Sequence, residues 1–265
     1  MTGLIRDTFL EAHDRKMTYL FGVITLLGAF VVLLTRGAEF NMHIETQGID
    51  PSGIVTALQD PILRVFKAYL SFLLFLAVMG SAVHIPTMFE KGRAEYYLSK
   101  PLSRRSLLFG KWTGILATYG SMVIGSGIVI YGLIALLHQP FFDISILYLF
   151  AMYALSLATW ITITTCAAVL SGSTAMAVMA AFLVWVSETI LGFHETIKAT
   201  LDSQAAGFFV DALYYLVPKN SEVEQTGLLL ATGKPIDDWW ALVTTIIVTA
   251  GILQAAITIL SRRDY

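Results

Sequence analysis

The sequence predicts an all-α, polytopic membrane protein with six transmembrane helices and an N-terminal interfacial helix, and three observations carry that prediction. Of 265 residues, 56% are hydrophobic and only 14% charged, and the mean hydropathy of +0.71 leaves too little charge to cover a water-soluble surface. The apolar residues gather into runs of 17 or more, long enough to cross about 30 Å of hydrocarbon as helices that satisfy their own backbone groups. Basic residues concentrate on one side: with both termini inside, eleven lie within and six outside, the asymmetry that orients helices in a bilayer.

The elements follow in order. Within residues 1–17, Leu4, Ile5, Thr8, Phe9 and Ala12 recur at helical spacing, while Arg6, Asp7, Glu11, Asp14 and Arg15 fill the other face. That pattern predicts an amphipathic helix lying on the inner leaflet. No short apolar segment with a small-residue cleavage site opens the chain, so the first apolar run is expected to stay as an anchor. The predicted spans are 18–34, 66–85, 107–137, 144–170, 174–194 and 239–260, with the third and fourth long enough to tilt or to extend beyond the bilayer.

The connections are equally informative. The first, 35–65, carries Gly37, Gly48, Pro51, Gly53 and Pro61, which is turn chemistry. Pro86 is expected to bend or stop the second span. The connections at 138–143 and 171–173 are so short that the helices they join must be antiparallel neighbours. The longest, 195–238, repeats Ile197, Leu201, Ala205, Phe208, Phe209, Ala212, Leu213 and Leu216 around Gly207, predicting one or two partly buried helical pieces near the outer interface. Arg262 and Arg263 close the chain where they can reach headgroup phosphates.

Within the spans, Gly110, Gly114, Gly120, Gly125, Gly127 and Gly132 offer the third helix a surface for close approach. Thr159, Thr162, Thr164 and Thr165 are expected to bond their own helix or a neighbour. Glu188 falls about 20 Å along the fifth span, in the outer half of the bilayer. A carboxylate there costs about 2.5–3.5 kcal/mol on insertion scales and should face protein, water or a partner. It reads either as a gate or dimer contact, or as a hydrogen-bonded structural glutamate. His84 reads as a hydrogen-bonding residue at a helix end.

Several chemistries are excluded. The single cysteine, Cys166, permits no intrachain disulfide and no thiolate metal cluster. Gly110-Lys111 and Gly233-Lys234 lack the upstream glycine or the following hydroxyl residue of a phosphate-binding loop. His194-Glu195 is followed by Thr196, Ile197 and Lys198, so there is no HExxH, and no GxSxG occurs. No catalytic, cofactor-binding or metal-ligating residue and no nucleic-acid partner is therefore expected. A secondary transporter or channel stays open as a class, and an intramembrane hydrolase as a weaker one.

The segment Glu90 to Lys111 holds six of the chain's 17 basic residues. Glu90 with Arg93, and Lys91 with Glu95, stand at i,i+3 and i,i+4, which supports a short helix by about 0.2–0.5 kcal/mol per pair. Tyr96, Tyr97 and Leu98 are apolar and aromatic anchors of the kind protein interfaces favour, and Pro101 ends the element. The order Glu90, Lys91, Gly92, Glu95, Leu98, Ser99, Lys100, Pro101, Ser103 and Arg104 resembles the cytoplasmic loop of type-2 ABC transporter permeases. Arg93 stands where that family more often has threonine. The N-terminal amphipathic helix, LYYLVPKNSEV from Leu213 to Val223, and the basic terminus are similar to the family's elbow helix, outer loop and ending.

The resemblance implies a type-2 ABC exporter-like fold in which residues 86–106 form a coupling loop against a separate ATPase and 195–238 carry short re-entrant helices. It further implies two ATPase copies that bind ATP and Mg, a second permease copy or homologue, surrounding lipid, and an inner-membrane location with both termini cytoplasmic.

Overall fold

The computed structural model describes residues 2–45, 51–90, 103–137, 144–200, 204–236 and 239–262. These form ten α-helices and one 3-10 turn, with no strand among the described residues. In chain order they are α1 (Thr2–Asp14), α2 (Met17–Glu45), α3 (Pro51–Ser81), the 3-10 turn (Pro86–Phe89), α4 (Arg104–Leu137), α5 (Ile146–Ser171), α6 (Thr174–Leu191), α7 (His194–Thr200), α8 (Gln204–Leu216), α9 (Asn220–Ala231) and α10 (Trp240–Arg262). Six of them, α2 to α6 and α10, contribute segments long and apolar enough to cross a membrane, so the chain is an all-helical, multi-pass membrane protein.

The breaks between helices have local causes. α1 ends at Asp14, and the chain turns through Lys16 at φ 61°, a left-handed conformation that L-residues adopt at some cost. The turn is closed by Lys16 N–H donating to the His13 carbonyl at 2.8 Å, and it separates α1 from α2, whose Met17–Leu34 stretch is long and apolar enough to cross a membrane. α5 ends at Gly172, whose φ of 69° needs no Cβ and lets its N–H reach the Ala168 carbonyl at 2.7 Å. That two-residue turn, Gly172 and Ser173, makes α5 and α6 the expected antiparallel neighbours.

Pro86 acts earlier than its position suggests. α3 stops at Ser81, and the chain passes through a turn into the 3-10 segment Pro86–Phe89. Pro86 has no N–H and its ring crowds the carbonyl four residues back. The ladder gives way to isolated bonds such as Met88 N–H to the Ile85 carbonyl at 3.1 Å. Pro86, Thr87 and Met88 are nevertheless buried, so this segment is packed and not a free linker.

α5 is the central helix, packed against α3, α4, α6, α9 and α10. Its Leu149, Tyr153, Leu157 and Ile161 share one buried core cluster with Phe66, Leu70 and Leu73 of α3 and Ile115 and Tyr119 of α4. The threonines add directional bonds: Thr159 pairs with Thr249 of α10 at 2.9 Å, and Thr162 accepts from the Trp112 indole N–H of α4 at 3.0 Å. Thr164 bonds its own helix at 3.0 Å, whereas the Thr165 hydroxyl has no partner among the described residues.

The glycines of α4 divide into two groups. A Cβ at Gly127 would lie 2.6 Å from the Phe150 ring and 2.9 Å from Leu70, and one at Gly114 would lie 3.0 Å from Thr8 and 3.3 Å from the Leu4 carbonyl. Gly110 is similarly close to Leu4 and Gly120 is in ordinary contact, but Gly125 and Gly132 face open space. Only part of the glycine-rich face is therefore used for close approach.

The predicted apolar stretch of the long connection forms two helices, α7 and α8, and a third helix, α9, follows before α10. α8 runs unbroken through Gly207, and its Phe208, Phe209 and Leu216 are exposed. Ile197 and Leu213 of the predicted face are half-buried, and exposed apolar side chains of this kind can be covered by lipid without protein packing.

Candidate functional site

α9 is the element around which a site assembles, and its sequence explains where it lies. Val223, Gly227, Leu228 and Ala231 bury one face, and a Cβ at Gly227 would lie 2.9 Å from Met152 Cβ and 3.2 Å from Leu149 Cα. Glycine lets α9 press against the backbone of α5. That approach carries Glu224 into the bundle. Ser71 of α3 donates to Glu224 Oε2 at 3.0 Å, and Ser156 of α5 donates to Oε1 at 3.1 Å. The Tyr153 hydroxyl lies 2.7 Å from Ser71 Oγ and 3.0 Å from the Lys67 carbonyl oxygen, completing a polar cage. Neutral hydroxyls thus stand in for water around a half-buried carboxylate.

Glu188 of α6 meets the same helix from the other side. Its Oε1 accepts a hydrogen bond from the Asn220 backbone N–H, and Ser221 Oγ lies 3.5 Å from Oε2. Asn220 opens α9, so Glu188 answers the orphan N–H groups and positive dipole end of a neighbouring helix. Of the two readings of Glu188, the hydrogen-bonded one describes its contacts here. A gate or dimer contact is not represented among the described residues.

Between α3, α5, α6 and α9 lies a cavity of about 380 Å³. Ser71, Glu188, Asn220 and Glu224 supply its polar atoms, and Phe75, Trp160, Phe182 and Trp185 its aromatic wall. The size and the few convergent polar groups on an apolar lining are those of a small-molecule pocket. Glu224 and α9 were not recognisable as site elements from composition alone. The usable signal is Pro218 just before Asn220, followed by Val223, Gly227, Leu228 and Ala231 at helical spacing.

A second polar cluster ties α1 to the bundle at the far end. Glu11, assigned by periodicity to the solvated face of α1, has a side chain only 10% exposed. Lys111 of α4, 1% exposed, lies 3.1 Å from Glu11 Oε2 and 3.3 Å from Asp7 Oδ2. His84 Nδ1 lies 3.0 Å from Glu11 Oε2, its Nε2 lies 3.0 Å from the Tyr119 hydroxyl, and Thr87 donates to Glu11 Oε1 at 3.1 Å. Burial pushes the Glu11 carboxyl up, but the His84 hydrogen bond and the Lys111 charge outweigh it and hold the group well below the usual carboxylate range.

These contacts fix both ends of the segment singled out by its motif. Glu90 is exposed just after the buried 3-10 turn. Ser103 Oγ accepts from the Ser106 N–H at 3.2 Å as a cap, and Arg104 begins α4. Lys91, Gly92, Arg93, Glu95, Tyr96, Tyr97, Leu98, Ser99, Lys100 and Pro101 lie outside the described residues. Along α3 the cavity lining runs from Ser71 to Met79 and includes none of His84, Glu90, Ser103 and Arg104. No group of three His, Cys, Asp or Glu side chains suited to a metal ion occurs among the described residues. Comparison with models of known families gives no match to the chain, and comparison with curated protein sequences gives none either.

Proposed function

We propose that the chain is the membrane-spanning subunit of an ATP-driven transporter of the type-2 ABC exporter kind, with the 90–104 segment receiving force from a separate ATPase. The observation that carries this reading is the motif from Glu90 to Arg104 set between two immobilised ends. Glu11 bonds His84 and Thr87 before the segment and Lys111 after it. A push on the segment would therefore move α1, α3 and α4 together, and the resemblance supplies the source of the push. Two ATPase chains holding ATP and Mg would act on two permease copies in the cytoplasmic membrane. The cavity beside Glu188 would alternate between packings that differ in access, a change that requires ATPase contacts differing between states.

The test is assembly and coupling. The chain is expressed with candidate ABC ATPase subunits from the same genome and purified; a stable complex with one of them is expected, with ATPase activity that falls when Glu95→Lys is introduced although assembly persists. Cysteine at Ser103, in a Cys166→Ser background, should be labelled from the cytoplasmic side. Labelling from the opposite side sinks the proposal, because no cytosolic motor could then reach the segment.

Glu188 and Glu224 in one intramembrane cavity favour a second reading, a cation-coupled secondary transporter. Gradient-driven flux by the chain without any ATPase would establish it.

A further inference from the structure

We propose that the cavity between α3, α5, α6 and α9 binds an organic cation with an apolar body, such as an amphiphilic amine or quaternary ammonium compound. This assigns a ligand class to the cavity and rests on the transport reading only for what happens after binding.

Charge is the first argument. Glu188 and Glu224 both line the cavity, and they are close enough to act on one another electrostatically. Their hydrogen-bond donors are neutral: two serine hydroxyls on Glu224, and a backbone N–H with the Ser221 hydroxyl on Glu188. The cation acting on Glu224 is Lys67, whose ammonium bonds Gln225 Oε1 at 2.9 Å. Lys67 acts on Glu224, whereas no cation acts on Glu188 among the described residues, so a positive charge that enters with the ligand would find a carboxyl partner there.

Asn220 is an independent sign of an occupant. It is 1% exposed and lines the cavity, and its side-chain amide lies beside Glu188 yet completes no hydrogen bond through Nδ2 or Oδ1 among the described residues. A buried polar group left in this way costs about 1–3 kcal/mol, and a ligand bearing a polar head can recover it. The wall supplies the rest. Phe75, Trp160, Phe182 and Trp185 offer aromatic faces that attract a cation and cover its hydrocarbon. Phe75, Phe182 and Trp185 are each more than half exposed on the outer surface of the bundle, so an amphiphile can approach sideways. An anion meets two carboxylates there, and a sugar meets too few donors.

The experiment is a calorimetric titration of the full purified chain in phosphatidylcholine nanodiscs, with empty discs subtracted. Three soluble probes share one apolar body: 4-phenylbutyltrimethylammonium, 4-phenylbutanol and 4-phenylbutanesulfonate. The cation should bind at least about tenfold more tightly than the alcohol, with the sulfonate weakest, because charge complementarity decides the order. Glu188→Gln and Glu224→Gln should each weaken the cation about tenfold while leaving the alcohol unchanged. Equal binding of sulfonate and cation overturns the proposal, as does undiminished cation affinity in both variants; if either variant misfolds, the order of the three probes on the unaltered chain decides. Failure of an ATPase to assemble overturns the transport reading and leaves this titration untouched.

Discussion

Removing Glu11 should undock α1, and the structure sets the size of the effect. Lys111 is 1% exposed and faces Glu11 at 3.1 Å, with Asp7 as a second carboxylate at 3.3 Å. Breaking a buried ion pair by deleting one partner costs about 3–5 kcal/mol, since the remaining charge is stranded. Asp7 is 51% exposed and still offers Lys111 a solvent-screened partner, which reduces the expected cost of Glu11→Leu to about 2–4 kcal/mol. Hydrogen exchange of the α1 amides, read where it reports the opening equilibrium, should then accelerate by roughly 30- to 700-fold, at about 1.4 kcal/mol per factor of ten. Adding Lys111→Met removes the stranded ammonium, and the double variant should regain at least about half of the lost free energy. A Glu11→Leu protein that stays folded and exchanges less than about threefold faster, or a double variant no better than the single one, would refute the clamp.

Other outcomes follow from particular contacts. Gly127→Ala places a Cβ 2.6 Å from the buried Phe150 ring and 2.9 Å from Leu70, whereas Gly125→Ala meets nothing within 4 Å. The first should cost about 1–3 kcal/mol in reversible unfolding and the second should be neutral or slightly stabilising. Gly227→Ala pushes α9 away from Met152 and Leu149, so it should loosen the Ser156 bond to Glu224 and raise exchange in α9 while sparing α1. The Glu11 carboxyl is held below its ordinary value. Its contribution to α1 docking is therefore present above the unfolded carboxyl value and lost only as pH falls through the lower folded value. Protection of α1, corrected for intrinsic rates, should stay constant from pH 7 to about 5; a drop across that interval contradicts the sign.

The six spans were legible in the sequence because a bilayer imposes a length and a polarity on every crossing segment, whatever it packs against. Thr174 begins the fifth span, α6, as expected, and the short turn at Gly172 makes α5 and α6 neighbours. Glu188 also stood out on its own, since a carboxylate within an apolar run is costly wherever the helix goes. Periodicity could not decide which charged residues leave the solvent. Glu11 and Asp7 lie on one stripe of α1, yet Glu11 is buried against Lys111 and His84 while Asp7 stays half exposed. That difference depends on how closely α1 approaches α4 across Gly110 and Gly114, a distance that no local pattern encodes. Glu224 likewise acquired its place only when Gly227 let α9 settle on α5 and two serines from separate helices met its carboxylate. Solvent and lipid act on each residue separately and leave their mark along the chain, while cavities and buried charge clusters are made by residues distant in sequence and exist only once the helices have packed.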